Sequence, residues 1–156
     1  QGAMAECDKQ KGSVGNVIHE GLKKYNEMST TSGMDKEHKI LAIQKEIEES
    51  TSLELPMLEK NLVILATFAS VATLLGLFGT VLGMIKAFSA LATAGAPDAV
   101  ALSTGISEAL INTALGIGAS ALAIIFYNVY TTKIDGMTYG IDEAGFSIAQ
   151  SFASKH

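Results

Sequence analysis

Polar and apolar positions divide the 156 residues into unlike parts. From Asn61 to Ile85 no charged residue occurs in 25 positions, and from Ala109 to Thr132 none occurs in 24. As helices, at about 1.5 Å per residue, these runs reach about 36–37 Å. That exceeds a hydrocarbon core of about 30 Å, so both runs predict membrane-spanning helices with some tilt. The competing reading is a pair of buried core helices, but nothing else in the chain covers two such helices on all sides.

Outside the runs the apolar positions keep a helical period. Val14, Val17, Ile18 and Leu22 form one stripe, and Ile40, Ile43 and Ile47 form another. Thr30–Gly33, "TTSG", is the best break between them. Pro56 either kinks a long helix or opens the next one, since its ring is tolerated in a first turn. Beyond the second run Ile134, Met137, Ile141, Ile148 and Phe152 continue a stripe that leaves Asp135 and Asp142 aside. The fold class expected is therefore all-α: an integral membrane protein with two transmembrane helices and long helical extensions. Its expected parts are a helical region over 1–60, a transmembrane helix over 61–87, a loop over 88–107, a second transmembrane helix over 108–132 and a helical extension over 133–156.

Charge sets the orientation. Residues 1–60 carry eight Lys and eleven acids, and Lys133 and Lys155 follow the second run. The small-residue loop between the runs holds Gly95, Pro97 and Asp98 but no Lys. The positive-inside tendency then puts both flanks in the cytoplasm and the loop on the far side, with Lys86 snorkelling at the outer end of the first span.

Composition agrees with a lipid setting. Mean hydropathy is +0.31 and 17% of residues are charged, against about 25% in typical soluble domains. There is no Trp, while 15 Gly accompany abundant Ala, Leu, Ile and Val, a mix that suits close helix packing in lipid. The net charge of −5 has no basic block, so no nucleic-acid partner is expected. Cys7 is the one cysteine, which excludes a disulfide framework and a zinc cluster. No metal, cofactor or catalytic constellation is expected, and the chain is not read as an enzyme. It opens "QGAM", so the natural N-terminus is expected to lie upstream; no signal peptide is visible.

The most informative stretch is "GLFGTVLGMIKAF", Gly76 to Phe88. A phosphate-binding loop needs G-x-x-x-x-G-K-[ST], and here Met84 follows Gly83. A serine-hydrolase elbow needs G-x-S-x-G, which is absent. Membrane-inserting peptides that begin GLFG work from a free N-terminus, whereas this stretch lies inside a longer apolar run. Close packing survives: Gly79 and Gly83 form G-x-x-x-G, which lets helix backbones approach.

Small and hydroxyl-bearing residues also form stripes. Ala69, Thr73, Gly76, Thr80 and Gly83 step by four, three, four and three, as do Ala109, Thr113, Gly116, Ser120 and Ala123. Two such stripes could line a common narrow interior. Gly76, Gly79, Gly83, Gly116 and Ser120 are the expected packing positions. The threonines allow two readings: hydroxyls bonded back to their own helix carbonyls, or hydroxyls that pass a proton, since each donates and accepts. Glu108 favours the second. An acid at the mouth of a membrane helix, beside Asn112 and before Thr113, is costly unless paired or hydrated. The alternative for Glu108 is a carboxylate resting at the water interface.

"LLGLFGTVLGMIKAF" followed by "GISEALINTALGIGASALAIIFYN" resembles the ExbB/TolQ branch of the MotA/TolQ/ExbB proton-channel family. The likeness runs from about Leu58 to the C-terminus, with G-L-F-G-T-V-x-G and I-x-E-A-L-x-x-T-A-x-G in the family's order and spacing. "AECDKQKGSVGNVIHEGL" is similar to the cytoplasmic segment after the family's first membrane helix. The resemblance implies a multi-pass subunit of the bacterial inner membrane, forming a homo-pentamer around a dimer of single-span ExbD- or TolR-like partners. Proton flow would turn one part against the other, and in ExbB systems the motion energises a TonB-like protein that opens outer-membrane transporters. The family's channel threonines fall on Thr80 and Thr113, and its membrane glutamate falls on Glu108. Its protonated aspartate belongs to the partner. Family members have three membrane helices against two here, so the first is expected upstream of Gln1. The motif of the MotA branch differs. A TolQ-type role in envelope maintenance, or a structural membrane scaffold without conduction, are the other readings.

Overall fold

A computed structural model describes residues 2–93 and 98–155. The chain is all-α as expected, with no strand among the described residues. Its helices are α1 (Gly2–Gln10), α2 (Ser13–Thr30), α3 (Lys36–Thr93) and α4 (Ala99–Lys155). The contacts fall into two compact units, one of Gln1–Lys60 with Thr131–His156 and the other of Asn61–Tyr130.

In the first unit α2, the start of α3 and the end of α4 pool their apolar stripes. Val17, Met28, Ile43, Ile47, Ile141 and Phe152 are buried, with Val14, Tyr25, Ile40 and Ile148 packed against them. The Tyr25 and Phe152 rings meet edge to face at 5.2 Å, a favoured aromatic geometry. Gly21 lets α2 settle on the others, since a Cβ there would lie 2.7 Å from the Ile47 side chain. Asp135 and Asp142 stay exposed. The expected break at "TTSG" falls between α2 and α3, where Gly33 takes a positive φ of 90° that glycine adopts freely.

Pro56 follows the first of its two expected alternatives in lying inside a long helix, α3, at an exposed position where the lost N–H leaves the Ser52 carbonyl without its helical donor. One boundary differs from expectation. The stretch expected as a loop over 88–107 is largely helical, because α3 continues to Thr93 and α4 starts at Ala99. Gly95 and Pro97 lie outside the described residues. Asp98 starts α4 as its N-cap, its Oδ1 accepting from the backbone N–H groups of Val100 and Ala101 at 3.0 and 3.2 Å.

The second unit is a helix pair with small residues inside and large ones outside. Ala69, Ala72, Gly76, Ala87 on α3 and Ala109, Gly116, Ser120, Ala123 on α4 are buried. Phe68, Leu74, Leu77, Phe78, Leu115, Leu122 and Phe126 are all more than half exposed. Both helices are long and apolar enough to cross a membrane. A surface this apolar is stable only against lipid or other apolar helices.

Candidate functional site: the face between the two apolar helices

Glycine decides how close α3 and α4 come. A Cβ on Gly76 would lie 2.9 Å from the Gly116 Cα, and one on Gly116 would lie 2.8 Å from the Ala72 carbonyl oxygen. A Cβ on Gly83 would meet the Ala109 Cβ at 2.9 Å, and one on Gly105 the Ala87 Cβ at 2.6 Å. These pairs step along α3 as they step back along α4, so the helices run antiparallel with Gly76 against Gly116 at the tightest point. Gly79 is looser, facing the Asn112 side chain at 3.2–3.3 Å.

The hydroxyls lie on this face. Ser120, buried, donates to the Ala69 carbonyl across the pair at 2.5 Å. Thr80 and Thr113 meet hydroxyl to hydroxyl. The Thr80 hydroxyl also reaches the Gly76 carbonyl of its own helix at 3.1 Å and the Ala109 carbonyl of α4 at 3.0 Å. Each hydroxyl has one hydrogen, and a carbonyl only accepts. When Thr80 donates to either carbonyl, Thr113 must donate to Thr80. Thr80 thereby takes the carbonyl four residues before Thr113, the one that Thr113 would ordinarily use. The result is a short directed chain, Thr113 to Thr80 to backbone, in an otherwise apolar span.

The stripes press on one another and do not enclose a lumen, which revises the expected common interior. With backbones in contact at Gly76 and Gly116, no water fits between them. The polar groups instead divide between the two edges of the contact. On one edge lie Thr80 and Thr113, with Ser120 next to an open cleft of about 490 Å³ lined by Ser70, Thr73 and Tyr127 among apolar residues. On the other lie Gly79 and Asn112. Glu108 is exposed and precedes Asn112 by one turn, so it follows the Asn112 edge and is not brought to the threonine pair. Thr73 is exposed and Ala72 is buried in its place, since a 3.6-residue period drifts off a strict four-three pattern. The packing roles of Ala87, Gly105 and Asn112 went unmarked in the sequence. Ala87 follows Gly83 by four and Gly105 precedes Ala109 by four, so extending the stripes would have found both.

A family model, the MotA/TolQ/ExbB proton channel family, matches residues 9–143. A Tol-Pal system protein TolQ of Pseudomonas aeruginosa is 32% identical over 120 residues, covering 77% of this chain and 52% of that protein. A biopolymer transport protein ExbB of Helicobacter pylori is 41% identical over 78 residues, covering 50% of this chain and 54% of that protein. A biopolymer transport protein ExbB of Pseudomonas putida is 36% identical over 85 residues, 54% of this chain and 26% of that protein. The chain thus spans about half the length, or less, of these curated relatives. The match takes in both apolar helices and the threonine pair between them, and the chain belongs to the MotA/TolQ/ExbB proton channel family.

Proposed function

We propose that this chain is the channel-forming subunit of a proton-driven motor in the bacterial inner membrane, of the ExbB or TolQ type. The observation that carries the reading is the directed hydroxyl chain from Thr113 to Thr80 inside an apolar helix pair. Two hydroxyls in register across such a pair can take up a proton on one oxygen and release one from the other. On the same edge, beside Ser120, an open cleft with further hydroxyls has room for water or a partner helix. Because the two helices of one chain leave no lumen, conduction needs other helices to close a path. A homo-oligomer, pentameric by family likeness, around a single-span ExbD- or TolR-like dimer supplies them. In this setting the unit with the charged surface faces the cytoplasm, and Glu108 stands at the outer mouth. The output is movement passed to a TonB-like protein in the ExbB role, or envelope maintenance in the TolQ role.

Replacing Thr80 and Thr113 with Val keeps their shape and removes both hydroxyls. With assembly of the complex confirmed, proton flux or proton-dependent work is expected to fall at least about tenfold. Unchanged flux would overturn the path. The scaffold reading has its own support, since both hydroxyls also tie α3 to α4. It expects loss of assembly in the same variants, in proportion to any loss of activity. Glu108→Ala separates the two roles of the acid: unchanged flux would leave only a carboxylate at the water interface.

A further inference from the structure

Lys86 and Glu108 bound the two charge-free runs at the same end of the helix pair. Lys86 follows the run that ends at Ile85, and Glu108 precedes the run that starts at Ala109. The contacts give their level. Ala87 meets Gly105 and Gly83 meets Ala109, so Lys86 stands opposite residue 106, within about 3 Å of Glu108 along the axis. They also give the edge. Gly79 touches Asn112; Lys86 lies two turns beyond Gly79, and Glu108 one turn before Asn112. Both charges therefore project from the edge opposite the threonine pair, and both are exposed. Asp98, ten residues earlier in α4, is about 15 Å further along the axis and is engaged in capping. Glu108 is thus the acid nearest to Lys86 in register. The two are not ion-paired in the single chain, and no other charge stands on this edge within the unit.

Resting on the reading of Glu108 as a residue of the path, we propose that Lys86 is a positioning residue for it. In the membrane assembly the ammonium pairs with the carboxylate across the helix edge and holds it at the mouth of the path. Leaving either charge alone beside hydrocarbon is costly, and pairing removes that cost from both. An ammonium carries three rotatable donors on a flexible stem, so Lys86 can hold the carboxylate without a fixed geometry and let it go when a proton arrives.

Two measurements test this on the full chain in its membrane complex. A carbodiimide joins an amine and a carboxylate only when they touch, forming an amide with loss of water. An intrachain Lys86–Glu108 amide is expected by mass spectrometry, and it should vanish in Glu108→Gln. A Lys86 that couples to no carboxylate, as it would when snorkelling to a lipid phosphate, overturns the pairing, as does coupling only between neighbouring subunits. The second measurement is a flux cycle. Lys86→Met is expected to lower proton flux about tenfold beside Glu108 but less than about twofold beside Glu108→Gln, because its effect passes through the acid. Rescue by Lys86→Arg is expected. Equal losses in both backgrounds overturn the proposal. If the parent complex conducts no protons, the channel reading fails while the amide still decides the pairing.

Discussion

The two units are built by opposite rules from the same long helices. In the unit of Asn61–Tyr130, alanine, glycine and serine are inside and leucine, isoleucine and phenylalanine are outside. In the other unit Phe152, Ile43, Ile141 and Val17 are fully buried and the charges are outside. The difference lies in what surrounds each. Water expels large apolar groups, so the charged unit gains by burying them. Lipid does not, so the apolar pair gains only through close contact and hydrogen bonds, which small residues allow. Exchanging the rules should therefore fail in both places, and by different mechanisms.

Phe152→Ala should do the most damage. It empties a fully buried site beside Tyr25 and Ile43 and is expected to cost about 3–5 kcal/mol, read as easier proteolysis of the charged unit. Gly116→Ala breaks the opposite rule. Its Cβ would press on the Gly76 backbone and the Ala72 carbonyl, neither of which can swing aside. A cost of about 1–3 kcal/mol is expected, read as a lower melting temperature of the complex. Gly118, two residues on and on the opposite side of α4, has open space around it; Gly118→Ala should be neutral or stabilising by up to about 1 kcal/mol. Equal effects at 116 and 118 would break the comparison.

Thr80→Val should cost less. It removes a hydroxyl but frees the Ala109 carbonyl for Thr113, so about 1 kcal/mol of stability is expected. Loss of flux should then far exceed loss of stability. The smallest effect belongs to the charged surface. The Lys23 ammonium, hydrogen-bonded to Glu20 at 3.0 Å, holds the Glu20 carboxyl below its ordinary 4.5. A lowered acid stabilises the fold above its unfolded value and loses that contribution as pH falls through the folded one. Lys23, raised by the same contact, stabilises below its unfolded value and stops doing so as pH rises through its folded one. The pair is exposed, so Glu20→Gln should change melting only slightly at neutral pH. The difference from the parent should shrink as pH drops below 4.5.

Much of this was legible along the chain. The runs without charge, the break at Thr30–Gly33 and the stripe ending at Phe152 each follow from local pattern. Pro56 was ambiguous because one proline costs less than the packing of a long helix restores. Local pattern makes the connection between the runs look longer than it is, because Ala- and Ser-rich sequence resembles a loop although it also favours helix where packing supports it. Asp98, directly before a helix-forming run, is itself a cap signal in the sequence.

By itself the sequence determined that two apolar helices form, that their small residues make stripes, and that Thr80 and Thr113 lie on those stripes. Periodicity is a property of one helix, and it survives without knowledge of any neighbour. Which stripe meets which, and at what register, is a property of two helices. Only the tertiary structure set Gly76 against Gly116, handed the Ala109 carbonyl to Thr80, and sent Glu108 with Lys86 to the other edge. Backbone contact at the glycines sets that register, and a shift of one residue would put side chains where no space exists.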